Sequence, residues 1–323
     1  MAGKLQNRLN DLDGREWLYW TDTLYITAYP PDATHPLRKK HGAMKPPEVM
    51  AEIIRFFTKK GELVLDPFAG VGGTLLGAAL TGRPSLGFEL DPRWVDIYRT
   101  IQRDFVVADG MFRRRDEVIT GGETITSRSI DGEMRQGDCL ELLRQLAAES
   151  IAAVITDPPY GINHGARGFP HETNFNMTAA IPAVRPCSRA HTAASNIETT
   201  DPGTRRPDLL AHSLTSHIAT ADLGQAPDLV SFLERLQVIG GEIHRVLQPG
   251  RYLVILVGDR YQRGEYVPLG FLVAQALRQV GFKFKGVRIW SNKATRRPLK
   301  PYAVKSVFVP NITHQNILIL RKE

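Results

Sequence analysis

Two short stretches concentrate the residue types that chemistry needs. The first is Asp66-Pro67-Phe68-Ala69-Gly70-Val71-Gly72-Gly73-Thr74. Glycines let backbone approach a ligand closely, and a helix that starts behind them offers free N–H groups. The stretch is not a P-loop, because no Gly-Lys-Ser/Thr follows, and it lacks the spaced glycines of the dinucleotide fingerprint. Glu89 lies 23 residues after Asp66, a spacing at which an acid accepts hydrogen bonds from ribose hydroxyls. Loop and acid together favour an adenosine-containing cofactor over a purely structural turn.

The second stretch is Asp157-Pro158-Pro159-Tyr160, preceded by Ala153-Val154-Ile155-Thr156. The prolines fix the backbone, and their missing N–H groups leave carbonyls free to accept hydrogen bonds. A carboxylate and a proline carbonyl converging on one point suit an amino group. Tyr160 adds a flat face for a planar ring. Alone, the tetrapeptide leaves an ordinary Pro-Pro turn equally open.

The elements that must position these residues follow from periodicity. Pro46 and Pro47 open a helix predicted over 47–58, whose Val49, Ile53, Ile54 and Phe57 follow helical spacing. Strands are predicted at 62–66, 85–90, 133–137 and 151–156, and helices at 74–80, 92–104 and 139–147. Such alternation argues for a parallel sheet covered on both faces, with both chemical stretches at the C-terminal ends of strands, where open α/β sheets bind ligands. Residues 1–45 read as irregular, and the polar stretch 107–131 as an insertion. From Gly161 to Ala226 periodicity stops. It returns with a helix at 228–246, a turn at 248–250, a strand at 252–257 and a helix at 268–280. Closing strands are predicted at 287–290 and 317–320, with 306–309 a further candidate.

Taken together, Asp-Pro-Phe-Ala-Gly-x-Gly and Asp-Pro-Pro-Tyr resemble the amino-methyltransferases of DNA, which use S-adenosylmethionine to methylate the 6-amino group of adenine or the 4-amino group of cytosine. His41-Gly-Ala-Met-Lys45-Pro46, Gly137-Asp138-Cys139-Leu140 and Arg245-Val246-Leu247-Gln248-Pro249-Gly250 extend the resemblance. It covers most of 41–160 and 230–322. The implied fold is an α/β, Rossmann-like class I methyltransferase: a mostly parallel twisted sheet, helices on both faces and an antiparallel closing hairpin. The implied organisation is an N-terminal extension (1–40), a cofactor-binding half with the catalytic motif (41–160), an insertion (161–226) and a second catalytic half with a basic C-terminal hairpin (227–323).

The resemblance also implies roles. Asp66, Pro67, Phe68, Gly70 and Gly72 would line the methionine end of S-adenosylmethionine, and Glu89 would hold its ribose. Asp138 would bond the adenine amino group, with Leu90 and Cys139 near the ring; a helix N-cap is the other use of an Asp there. Lys45 and Pro46 would close the pocket. Asp157, Pro158, Pro159 and Tyr160 would receive a base that has left the helix stack. An aromatic amine has its lone pair delocalised into the ring. Acceptors at Asp157 and the Pro158 carbonyl favour a pyramidal nitrogen and free that pair, so positioning and electrostatics supply most of the catalysis, without a metal.

Charge fits a nucleic-acid partner. The chain of 323 residues carries a net charge of +7. Gly281–Glu323 holds ten basic residues and one acidic, so the excess sits at the C-terminal end. Lys293, Arg296, Arg297, Lys300 and Lys305 flank Trp290 and Tyr302, a pattern suited to phosphate contact with stacking. Residues 161–226, with Arg167, Arg185, Arg189, Arg205, Arg206, Phe169 and Phe175, are the candidate DNA-contacting or base-covering segment. Five of the nine histidines lie there without helix-spaced pairing, so no metal is expected. Two cysteines exclude a disulfide framework, and no stretch approaches the roughly 20 apolar residues of a membrane span. The expectation is a cytoplasmic enzyme of a bacterium, archaeon or phage that acts on double-stranded DNA. No recognition domain of ordinary size is apparent, so a homodimer sharing DNA contacts is also an expectation.

Aspartate at the head of the tetrapeptide favours adenine, because cytosine enzymes more often begin it with serine. Cytosine 4-amino methylation is the runner-up. RNA or protein-glutamine modification, which more often shows Asn before Pro-Pro-Tyr, ranks lower. A non-catalytic nucleic-acid-binding protein on this fold is the alternative of a different class, and the intact motifs count against it.

Overall fold

The computed structural model describes residues 7–29, 36–42, 44–120, 126–160, 223–262, 264–295, 308 and 310–323. In chain order the strands are β1 (Leu24–Thr27), β2 (Val64–Asp66), β3 (Ser85–Glu89), β4 (Phe105–Ala108), β5 (Met111–Arg114), β6 (Ser127–Arg128), β7 (Glu133–Gln136), β8 (Ile151–Thr156), β9 (Leu247–Val257), β10 (Arg260–Gln262), β11 (Glu265–Val267), β12 (Lys283–Asn292) and β13 (Gln315–Arg321). The helices are α1 (Gly14–Trp20), α2 (Pro47–Phe57), α3 (Gly73–Thr81), α4 (Pro92–Asp104), α5 (Arg115–Thr120), α6 (Cys139–Arg144), α7 (Leu229–Val246) and α8 (Leu269–Gln279).

The main sheet has eight strands in the order β1-β12-β13-β9-β8-β2-β3-β7. All neighbours pair parallel except β13, which runs antiparallel to both β12 and β9. This is the mostly parallel Rossmann-like sheet with an antiparallel closing pair that the sequence resemblance implies. Strand β8 is buried at every position, as a parallel strand covered on both faces must be. Its Ala153 and Ile155 join Val49, Ile53, Ile54 and Phe57 of α2 in one core cluster. The alternate residues Ala152, Val154 and Thr156 face the other side and are buried as well.

Local chemistry explains the element boundaries. Pro47 stands at the start of α2, where its missing N–H is harmless. Asp91 caps α4, its side chain accepting from the Arg93 N–H, with Pro92 next. Asp138 caps α6 through the N–H groups of Leu140 and Glu141.

Three regions depart from the sequence expectations. Residues 7–29 are not irregular: Asp13 and Glu16 form a reciprocal capping box for α1, and β1 adds to the sheet edge beside β12. The turn expected at 248–250 falls inside β9, whose pairing with β8 shifts register between Ile151 and Ala153, so the strand begins five residues early. The polar stretch 107–131 contributes to a three-stranded antiparallel sheet, β5-β4-β6. The candidate strand at 306–309, apart from Phe308, and residues 161–222 of the predicted insertion lie outside the described residues.

Candidate active site

Strand β2 is followed by β3 on one side and flanked by β8 on the other. The order reverses there, the point at which open α/β sheets bind ligands beyond the C-terminal ends of the strands. Asp66 closes β2 at this point. It is only 4% exposed, and its carboxylate turns inward. Oδ2 accepts from Thr74 Oγ1 at 2.6 Å, and Oδ1 from Thr156 Oγ1 at 2.5 Å and the Phe68 N–H at 3.0 Å. Burial pushes its pKa up to about 6, against the pull of those three hydrogen bonds. Asp66 therefore braces β2, α3 and β8 beneath the expected pocket.

The glycine loop is held open from the next strand. Ala69 N–H donates to the Phe88 carbonyl at 2.8 Å, and Gly70 N–H to Glu89 Oε2 at 2.8 Å. The other Glu89 oxygen accepts from Asp91 N–H at 2.8 Å. Each carboxylate oxygen has a second lone-pair site, so Glu89 keeps acceptor capacity toward ribose hydroxyls. Burial raises its pKa, opposed by these backbone donors. Gly70 and Gly72 both have positive φ, +52° and +78°. A Cβ at Gly72 would sit 2.2 Å from Tyr98 Cδ2, and one at Gly70 would sit 3.1 Å from His41 Nε2. Only glycine fits this cradle. Leu90 is 49% exposed and Cys139 buried. Asp138 fills its cap with Oδ1; Oδ2 has no hydrogen-bond partner among the described residues.

Asp157 follows β8 directly. Its Oδ2 accepts from the ammonium of Lys45 in a close ion pair. Its Oδ1 is buried and has no hydrogen-bond partner among the described residues. Burial raises the Asp157 pKa, while Lys45 and His41 pull it back. Lys45, expected to close the pocket over a cofactor, is seated on the carboxylate of the second motif. Pro158 is buried and Pro159 exposed. Tyr160 Oη accepts from Gln315 Nε2 at 3.0 Å, and its carbonyl accepts from Arg260 Nη1 at 3.1 Å. His41 packs edge-on against Trp94 at 4.9 Å, and its buried Nδ1 has no hydrogen-bond partner among the described residues.

The structure thus brings Lys45, Asp66, Gly70, Gly72, Glu89 and Asp157 around the end of β2 and β8. Thr74, Thr156, Gln315 and Arg260 hydrogen-bond to Asp66 or Tyr160, and the sequence reading gave none of them a role. Thr74 ends the first stretch and Thr156 immediately precedes the second, which is the available signal; Gln315 and Arg260 carry none. Lys293 is exposed in the turn Lys293–Thr295 after β12. Arg167, Arg296, Arg297 and Lys300 lie outside the described residues. Among the described residues no group of three or more His, Cys, Asp or Glu is placed to hold a metal ion. No described helix is long and apolar enough to cross a membrane.

Comparison with known proteins adds a family. A family model described as DNA methylase (N6/N4 methyltransferase) matches residues 5–100 and 151–323. A tRNA (guanine(10)-N2)-dimethyltransferase of Methanocaldococcus jannaschii is 31% identical over 127 residues, covering 39% of this chain and 31% of that protein. The Type II methyltransferase M.MthZI of Methanothermobacter thermautotrophicus is 37% identical over 78 residues, 24% of this chain and 21% of that protein. The chain thus spans a third or less of the length of these two relatives. Among solved structures, TrmN from Thermus thermophilus aligns with a TM-score of 0.42 and 13% identity, over 89% of this chain and 52% of that one.

Proposed function

This chain belongs to the N6/N4 DNA methylase family, and on that premise we propose that it moves a methyl group from S-adenosylmethionine to an exocyclic amino group of a nucleic-acid base, adenine N6 in double-stranded DNA first. The observation that carries the reading is Asp157 Oδ1, a buried carboxylate oxygen with no hydrogen-bond partner among the described residues. An unmet buried acceptor is unfavourable by about 1–3 kcal/mol, and an amino N–H at the end of β8 is the donor that removes the penalty.

The residues present fit the cofactor. The loop at Gly70 and Gly72 leaves no room for side chains, and Glu89 steadies that loop while keeping lone pairs for hydroxyls. Pro67, Phe68, Gly70 and Gly72 would line its amino-acid end with Asp66 bracing them from beneath, Glu89 the ribose, and Leu90, Asp138 and Cys139 the ring, with Pro46 at the rim. When bound, the cofactor supplies an electrophilic methyl on a sulfonium.

The chain's own groups do the rest by position. Asp157 Oδ1 and the Pro158 carbonyl accept the two amine N–H bonds, which favours a pyramidal nitrogen and frees its lone pair. Tyr160 holds the ring by stacking, its hydroxyl steadied by Gln315. Asp157 acts as an acceptor, and the proton leaves after transfer.

A second reading concerns the substrate. The similarity to a tRNA (guanine(10)-N2)-dimethyltransferase supports RNA guanine N2, also an exocyclic amine, as the alternative to DNA. Cytosine 4-amino methylation needs no change in the site. A binding protein without turnover is the reading the intact motifs speak against. Asp157→Ala tests the assignment: methyl transfer is expected to vanish while S-adenosylmethionine binding by calorimetry persists. Retained turnover would remove Asp157 from the catalytic role.

A further inference from the structure

We infer that Lys45 is a positioning residue for the amine acceptor: its ammonium occupies one oxygen of the Asp157 carboxylate and so presents the other to the substrate. The inference rests on the reading of Asp157 given above. A carboxylate is two-fold symmetric, and without an anchor either oxygen would serve as acceptor. A cation fixed on Oδ2 removes that degeneracy and leaves Oδ1, buried and unpartnered among the described residues, as the acceptor site.

Lys45 is built to stay there. It is 8% exposed. Its carbonyl accepts from Nη2 of the fully buried Arg38 at 3.2 Å. That same Nη2 stands 3.4 Å from where a Cβ of Gly73 would be. The segment carrying Lys45 is thus clamped against the first turn of α3, next to the glycine loop, while its side chain reaches the end of β8. One short segment couples the two motifs. The charged and titratable groups around Asp157 are Lys45 and His41, with Asp66 and Tyr160 from β2 and the strand end, and with Arg38 and Asp91 beyond His41.

The pairing separates two roles for Lys45. A lysine that closes the pocket over the cofactor governs cofactor affinity. A lysine that orients Asp157 governs turnover and the pH at which Asp157 is ionised. The test uses the full chain as wild type, Lys45→Met, Lys45→Arg, Asp157→Asn and the double variant Lys45→Met/Asp157→Asn.

The first readout is the thermal midpoint, which requires no turnover. Each of Lys45→Met and Asp157→Asn strands a buried partner, so the double variant is expected to lose less than the sum of the two; strictly additive losses overturn the inference. The second readout is methyl transfer at saturating cofactor. Lys45→Met is expected to lower kcat about 100-fold with the cofactor dissociation constant within about threefold of wild type. Its acid limb of kcat is expected at higher pH, because the cation that favours ionised Asp157 is gone. Lys45→Arg is expected to recover activity to within about tenfold. Weakened cofactor binding with kcat intact makes Lys45 a pocket residue and overturns the inference. If wild type and Lys45→Met turn over equally, the Lys45 role alone falls. If wild type methylates no base although the stability coupling holds, the catalytic reading of Asp157 falls and carries the Lys45 role with it.

Discussion

Thr156 donates a 2.5 Å hydrogen bond to Asp66 across 90 residues of sequence, tying β8 to β2 at the point where the strand order reverses. Thr74, from the first turn of α3, takes the other Asp66 oxygen and also reaches the Ile155 carbonyl at 3.3 Å. The aspartate that heads the glycine motif is thus the joint between the cofactor loop and the strand that presents Asp157.

That joint is expected to show in the pH dependence of stability. Burial raises the folded-state pKa of Asp66 to about 6 from 3.8, so folding favours its protonated form. The resulting stabilisation is full below pH 3.8 and is lost as pH rises through about 6. Asp66→Asn lacks this term. The midpoint difference, wild type minus variant, is expected to fall between pH 4 and pH 7 in thermal unfolding. A flat difference across that window would contradict it.

Gly72 tests the cradle. An alanine there combines φ of +78° with a Cβ 2.2 Å from Tyr98 Cδ2, and Tyr98 is fully buried with its hydroxyl donating to the Gly132 carbonyl at 3.0 Å. The ring has nowhere to go. Gly72→Ala is expected to destabilise the fold by about 2–4 kcal/mol, from the left-handed backbone and overpacking together. Gly14→Ala, with nothing within 4 Å of its Cβ, is the control, and denaturant unfolding reads both. Equal stability of the two variants would refute the steric account.

Glu89 tests the cofactor assignment. Both its oxygens accept backbone N–H groups. Glutamine keeps one acceptor and turns a donor toward one of those N–H groups. Glu89→Gln is expected to weaken S-adenosylmethionine and S-adenosylhomocysteine binding alike, by about 10- to 100-fold, as loss of a charge-assisted bond does. Unchanged affinity by calorimetry would move the ribose site elsewhere.

Tyr160 separates stacking from hydrogen bonding. Tyr160→Phe keeps the ring and loses the hydroxyl's contacts with Gln315 and the Gly258 backbone, so activity is expected to fall by less than about tenfold. Tyr160→Ala removes the ring and is expected to raise the KM for nucleic acid by about tenfold or more. Equal effects of the two would assign the residue to the hydrogen bond instead.

The parallel centre of the fold was legible because its signals are local. The apolar run Ile151–Thr156 announces a strand covered on both faces, and Pro47 and Asp91 mark helix starts within one turn. Strand β1 was not legible. Its four residues alternate exposed and buried, and it exists as a strand through pairing with β12, more than 260 residues away. The capping box at Asp13 and Glu16 was present in the sequence and marks α1, but the aromatic run behind it obscured the helix. In the site, the glycine loop and Glu89 were legible from residue type and spacing, and the roles of Asp66, Asp138 and Asp157 from the resemblance to the family. The Lys45–Asp157 pair and the Gln315–Tyr160 bond join residues 112 and 155 apart, and no local pattern encodes such contacts. The basic residues Arg296, Arg297 and Lys300 were read from clustered charge beside aromatic residues and lie outside the described residues.

The most direct measurement is methyl transfer itself. The purified protein is incubated with tritiated S-adenosylmethionine and, in parallel, with unmethylated double-stranded DNA and unmodified tRNA, followed by digestion to nucleosides and mass spectrometry. The account predicts a label on an exocyclic amine, with 6-methyladenine from DNA as the expected product. 4-Methylcytosine or N2-methylguanine would keep the mechanism and change the base. A label on a ring nitrogen, ring carbon or ribose, or no label in either nucleic acid with cofactor bound, would contradict it.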